Sequence, residues 1–137
     1  MKPLRRSSVW LLALASLSAA SGGVAMAQDL YGGHFSEPTG EALFKGVCQG
    51  CHMPDAKGAV GAGAYPALAG DERLSSAAYP ALVVMMGQKA MPSFGDSLSD
   101  DQIAGVVNYI RSNFGNHYTD KITPDDVKTM RPPKAAQ

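Results

Sequence analysis

Apolar residues recur at helical spacing in three stretches of this chain, and each stretch carries its own start and stop signals. The first opens at Pro38, a residue suited to the first helical position, and sets Gly40, Leu43, Phe44 and Val47 on one stripe that runs straight into Cys48. Gly40 and Phe44 lie one turn apart on the same face, and a glycine there lets another helix approach closely. The second stretch, Tyr79 to Met86, puts Tyr79, Leu82, Val83 and Met86 on one face, with Pro80 in the first turn and Gly87 as the cap. Met85 and Met86 read as packing residues. The third is the clearest. Ser99-Asp100-Asp101-Gln102 is a capping box with acids that suit the helix dipole, and Ile103, Val106, Val107, Ile110 and Phe114 form the buried stripe. Arg111 stands near its end and Gly115 stops it, while Gly105 and Tyr109 share a second face able to cross the Gly40/Phe44 surface. Thr123-Pro124-Asp125-Asp126 caps a further short helix to about Met130. No repeat, heptad or strand alternation occurs. The pattern predicts an all-α fold of about three main helices with a short C-terminal one.

The connecting segments hold the candidate chemistry. Gln28 to Ser36 contains Gly32-Gly33 and no periodicity, which reads as a mobile arm. Residues 53–71 carry no long periodic segment. The small apolar run Gly58 to Ala64 is either a flexible loop or a loop pressed against a flat ligand, since small residues let backbone come close. In the following Tyr65-to-Gly70 segment, Pro66 is placed to fix a turn. Gly87 to Gly95 is a loop with Met91-Pro92 at its centre.

Cys48-Gln49-Gly50-Cys51-His52 is a C-x-x-C-H sequence, which reads as a c-type haem attachment site. Residues three apart on a helix share a face, so two thiols at this spacing can reach the two vinyl groups at one edge of the ring and form thioether bonds. His52 follows directly and can turn an imidazole nitrogen onto the iron. A disulfide, a redox C-x-x-C and half a zinc site are the competing readings. A four-ligand zinc site needs two more ligands, yet the chain has no other cysteine, and only His34 and His117 beside His52. A thioredoxin-like site should start a helix in a βαβ unit, and no strand pattern surrounds this motif. The Pro66 turn offers a carbonyl to the other ring N–H of His52.

A thioether sulfur can ligate haem iron opposite a histidine. Met85 and Met86 are helical, Met53 is too close to His52 to cross the ring, and Met130 lies in the tail. Met91, in a loop and restrained by Pro92, is the candidate sixth ligand. The competing reading is a methionine filling a core gap.

Length and charge narrow the setting. The chain has 137 residues, enough for one domain. Lys2, Arg5 and Arg6, the apolar run Val9 to Ala20 and Ala25-Met26-Ala27 read as a secretory signal peptide cleaved after Ala27. The run falls well short of the roughly 20 residues that span a bilayer. The expected layout is a leader at 1–27, the arm at 28–36, the main domain at 37–115 and a tail at 116–137. Removing the three leader cations leaves nine basic residues against twelve acidic ones, a formal charge near −3. A mildly acidic protein is a poor nucleic-acid or anionic-membrane binder. A core of this size gains much of its stability from burying a large apolar cofactor.

Taken together, the C-x-x-C-H site, the Pro66/Leu68 loop, the Met91-Pro92 pair, the capped last helix and the Gly40/Phe44 against Tyr109 pattern resemble class I cytochrome c. The resemblance covers roughly Thr39 to Gly115. It implies a small all-α fold wrapped around one covalently attached haem c, with His52 and Met91 as axial ligands and Pro66 supporting His52. The stretch from Tyr109 through Arg131 is similar to monohaem cytochrome subunits that accompany periplasmic dehydrogenases of alcohols, aldehydes, sugars or heterocycles. The chain departs from mitochondrial-type cytochromes in lacking a dense lysine ring, since only Lys45, Lys57 and Lys89 flank the haem-bearing segments. The expected function is a periplasmic one-electron carrier of Gram-negative type. Its donor would be a dehydrogenase, and its acceptor an oxidase or another cytochrome of the respiratory chain. The alternative is a haem enzyme or gas sensor with a displaceable sixth ligand, and no distal acid–base histidine favours it.

Overall fold

The computed structural model describes residues 34–61 and 63–133. The expected leader and most of the expected arm lie outside these residues, as do Ala62 and residues 134–137. Helix α1, Gly40–Leu43, begins at a threonine cap and not at Pro38. Thr39 is extended and its Oγ1 accepts from the Ala42 amide at 3.1 Å, so a hydroxyl sets the helix start and the proline stays outside it. The helical path continues through a π turn, Phe44–Cys48, into α2, Gln49–His52. A 3₁₀ turn, Glu72–Ser75, precedes α3, Ala78–Met86. The longest helix, α4, spans Asp100–Ser112 with the expected Ser99/Gln102 capping box, and α5 spans Pro124–Met130 under a second box from Thr123 and Asp126.

Two strands correct the strand-free expectation. Ala59–Val60 (β1) pairs antiparallel with Ala64–Tyr65 (β2), with Ala59 opposite Tyr65. Strands of two residues are too short for alternation to show in the sequence.

The fold is organised by the crossing of α1 and α4. A Cβ built on Gly40 would lie 2.0 Å from the Gly105 carbonyl oxygen, so the two backbones touch at this point. Beside it, Phe44 packs on Tyr109 (5.7 Å between ring centroids) and on Phe114 (4.7 Å), and Tyr109 meets Phe114 edge-on at 5.6 Å. Leu43, Ile103, Val106, Val107 and Ile110 are buried around the crossing. Helix α4 ends earlier than expected. Asn113 is extended, its Nδ2 donates to the Tyr109 carbonyl, and Phe114 and Gly115 both take positive φ. Phe114 therefore packs from a turn, outside the helix.

Helix α3 presents the opposite face from the one expected. Pro80, Ala81, Val84 and Met85 are buried, whereas Leu82 and Met86 are 43% and 57% exposed. The helix is apolar almost all round, so periodicity cannot choose a face.

The segment after α4 is tied down by polar side chains. Arg111 is fully buried; it donates to the carbonyls of Leu74 (2.8 Å) and Ser75 (3.0 Å), to both Asp120 carboxylate oxygens and to the Asp120 carbonyl. Its guanidinium also lies 5.4 Å from the Tyr118 ring centroid. Buried Asn116 donates to the Leu68 and Ile110 carbonyls and accepts from the Asp71 amide. Asn108 pairs in both directions with the backbone of Ile122. Val127 on α5 is fully buried. At the other end, Phe35 packs on Phe94, and its carbonyl accepts from Gln102 at 2.7 Å.

Candidate haem site

The C-x-x-C-H residues close the first helical run. Cys48 is half-buried, Cys51 exposed and His52 buried. In a regular α-helix, Phe44 and Cys48 would share a face, four residues apart. The π turn changes this. The Gln49 amide bonds back to the Phe44 carbonyl, a five-residue step that inserts one residue into the spiral. One residue is worth roughly 100° of rotation in an α-helix. Phe44 can thus face α4 while the cysteines turn elsewhere.

His52 Nδ1 lies 3.0 Å from the Pro66 carbonyl oxygen. A carbonyl only accepts, so Nδ1 carries the proton and Nε2 of the neutral ring keeps its lone pair. The return of the chain from His52 to Pro66 is closely specified. Met53 takes φ 66° and ψ 157°, and Ala56 also has positive φ, both costly for a side chain and here enforced by surrounding bonds. The Gly58 amide donates to the His52 carbonyl at 3.0 Å, and the amides of Leu68 and Ala69 both donate to the Ala56 carbonyl. Gly58 has φ 67°, and a Cβ there would lie 2.1 Å from the Tyr65 oxygen and 2.8 Å from the Pro66 oxygen. Only glycine lets the backbone run this close beneath the carbonyl that receives His52.

The Met91 loop is built in a similar way. Met91 and Gln88 exchange backbone hydrogen bonds of 2.9 and 3.0 Å. The amides of Phe94 and Gly95 return to the carbonyls of Val84 and Met85 on α3. Gly87, at φ 71°, would place a Cβ 2.7 Å from the Met91 oxygen. Met91 is half-buried and, like Cys48 and Leu68, packs on the common core. His34 and His117 are exposed.

The donor set fits haem better than the competing chemistries. Burial pushes the Cys48 thiol up to about 11, leaving an uncharged sulfur, whereas a redox C-x-x-C needs a lowered value. Among the described residues no group of three or more His, Cys, Asp or Glu is placed to hold a metal ion, so zinc has no partners there. A flat apolar ring needs apolar surface. Val60 (92% exposed), Tyr65, Leu82 and Met86 are exposed apolar side chains on the hairpin after His52 and the helix before Met91.

Sequence comparison agrees with this reading. The family described as "Cytochrome C oxidase, cbb3-type, subunit III" matches residues 36–110, more than half of the chain. The chain belongs to this family of c-type cytochrome domains, and with its C-x-x-C-H motif carries one covalently bound haem c. It is 35% identical over 107 residues to the fructose dehydrogenase cytochrome subunit of Gluconobacter japonicus, covering 67% of this chain and 22% of that subunit. It is 30% identical over 124 residues to the gluconate 2-dehydrogenase cytochrome c subunit of Pantoea cypripedii, covering 82% of this chain and 28% of that one. Cytochrome c6 of Diacronema lutheri is 37% identical over 83 residues, covering 56% of this chain and 94% of its own length. The chain thus spans about a quarter of the length of the dehydrogenase cytochrome subunits it matches. No helix among the described residues is long and apolar enough to cross a membrane.

Proposed function

We propose that this protein is a monohaem electron carrier of the periplasm. It would take single electrons from a dehydrogenase of small oxidisable substrates and pass them toward the respiratory chain. The observation that carries this reading is the C-x-x-C-H motif with His52 Nδ1 donating to the Pro66 carbonyl, which leaves Nε2 as the one free ring nitrogen. When bound, haem supplies a reversible one-electron iron couple.

The remaining work falls to the chain itself. Cys48 and Cys51 would hold the haem by thioether links, and His52 would ligate its iron. The Pro66 carbonyl fixes the tautomer of His52, orients its ring and makes it a stronger donor. Met91 would be the second protein ligand to the iron, in a loop held by the Gln88 pairing and by the two bonds from Phe94 and Gly95 to α3. With His52 and Met91 both engaged, no coordination site would be left for substrate, which favours electron transfer over peroxidase or gas-sensing chemistry. The supports of His52 and of the Met91 loop would keep both side chains in place as the charge changes, so that little rearrangement accompanies each transfer. The dehydrogenase partner is supported by the relatives named as dehydrogenase cytochrome subunits.

The test is substrate-driven reduction. Full-length, haem-loaded protein is mixed with a periplasmic dehydrogenase from the same source and the substrate of that enzyme. Reduction of the haem only when both are present, with no CO binding by the reduced protein, is the expected result. Rapid CO binding, or peroxide turnover without a partner, would replace this reading with the haem-enzyme alternative.

A further inference from the structure

The C-terminal segment reaches back to the loop that carries Met91. Arg131, just after α5, donates from Nε to Asp100 Oδ1 at 2.5 Å, from Nη2 to the Leu98 carbonyl at 2.8 Å and from Nη1 to the Gly95 carbonyl. Gly95 and Leu98 lie on the exit of the Met91 loop, and Asp100 is the first residue of α4. One planar guanidinium thus joins three points along the exit, a geometry that a lysine cannot reproduce. The entry of the loop is held by Gly87 and the Gln88–Met91 pairing, and the amides of Phe94 and Gly95 tie the start of its exit to α3. Beyond Gly95, the backbone bonds of the exit are the short-range ones from Ser97 and Leu98 to the Phe94 carbonyl.

Arg131 can act as a strap because its own segment is anchored. Val127 is fully buried, Asn108 pairs with Ile122, and buried Arg111 grips Asp120. We propose that Arg131 is a positioning residue that straps the exit of the Met91 loop. Resting on the reading of Met91 as sixth ligand, it would determine how readily a competing ligand displaces that methionine. The C-terminal segment thereby becomes part of the site's control, acting through the loop without touching the cofactor.

The experiment uses full-length, haem-loaded ferric protein titrated with imidazole, an exogenous ligand that must displace Met91. Wild type is compared with Arg131→Gln, Arg131→Lys, Met91→Ala and the Arg131→Gln/Met91→Ala double variant. Arg131→Gln should bind imidazole roughly tenfold more tightly than wild type, equivalent to about 1.4 kcal/mol, and Arg131→Lys should fall between. In the Met91→Ala background, Arg131→Gln should change nothing, because no methionine remains to be displaced. That coupling separates positioning from a general loss of stability, which melting curves record in parallel. If Arg131→Gln does not accumulate as holoprotein, Arg131→Lys carries the same comparison. The proposal is overturned by wild-type imidazole affinity in Arg131→Gln and Arg131→Lys when Met91→Ala has clearly lost its ligand. It is also overturned by an equal gain with and without Met91. An unaltered spectrum in Met91→Ala would instead overturn the ligand reading, and the strap would fall with it.

Discussion

Gly40→Ala tests the helix crossing with the smallest possible change. The added Cβ would sit 2.0 Å from the Gly105 oxygen, 2.3 Å from the Gly105 carbonyl carbon and 2.7 Å from the Val106 nitrogen. All three are backbone atoms, so no side-chain rotation relieves the clash, and α1 must move off α4. Overpacking of this kind costs about 1–3 kcal/mol, and rigid backbone neighbours put it at the upper end. Alanine returns up to about 1 kcal/mol in helix propensity. The net expectation is a loss of about 2 kcal/mol, or roughly 8–16 °C in melting temperature for a domain of this size. The reciprocal change should behave differently. A Cβ on Gly105 would meet the Gly40 nitrogen at 3.3 Å and its Cα at 3.5 Å, which a shift of a few tenths of an ångström accommodates. Gly105→Ala should therefore melt within about 1 kcal/mol of wild type, since propensity offsets the crowding. The assay is thermal unfolding of both holoproteins by far-ultraviolet circular dichroism, with the visible spectrum confirming intact iron ligation. A Gly40→Ala protein that melts with wild type, or a Gly105→Ala protein that is the worse of the two, would refute the close crossing.

Gly58→Ala should push the Pro66 carbonyl away from His52 and force an alanine into positive φ, costing about 1–3 kcal/mol. A weaker hydrogen bond makes His52 a poorer donor, so the reduction potential should rise in a potentiometric titration, and an unchanged potential would separate Pro66 from the iron. Asp120→Asn should lower the melting temperature at neutral pH. The hydrogen bonds from Arg111 hold the Asp120 carboxyl below the ordinary aspartate value, so its stabilisation is present above about pH 4 and lost as pH falls through the lower, folded value. The gap between wild type and variant should close in melting curves taken below that point, and a gap independent of pH would contradict the pairing. Cys48→Ala combined with Cys51→Ala should release haem to acid-acetone extraction, and haem that stays bound would disprove attachment at these thiols.

The contrast between helices shows what the sequence makes legible. α4 was readable except for its last turn because a capping box, an acidic first turn and a one-sided stripe all agree, and the Gly40/Gly105 contact followed from two glycines on facing stripes. α3 was readable as a helix but not as a surface, because nearly every position is apolar. The π turn left no trace, since Gly40, Leu43, Phe44 and Val47 satisfy a regular helical period and a one-residue insertion appears only in the hydrogen bonds. Arg111 was read as a cation in the last turn of the helix. Its spacing of four from Val107 and eight from Ile103 placed it on the buried stripe, a signal outweighed by its charge. The partners that make its burial tolerable, Leu74 and Ser75 in one turn and Asp120 after α4, come from two places along the chain, and sequence spacing gives no warning of them. The contact between His52 and Pro66 was anticipated from a turn-forming proline downstream of the motif. The arrangement that enforces it, with Met53 and Ala56 at positive φ, was not.

The most direct test of a His52/Met91 electron carrier is the visible and near-infrared spectrum of the ferric protein, wild type against Met91→Ala. The account predicts low-spin iron with a methionine–iron charge-transfer band in the wild type. In Met91→Ala that band should vanish while the haem stays covalently attached, and the reduced variant should bind CO. High-spin iron in the wild type, or a charge-transfer band that survives in Met91→Ala, would contradict it.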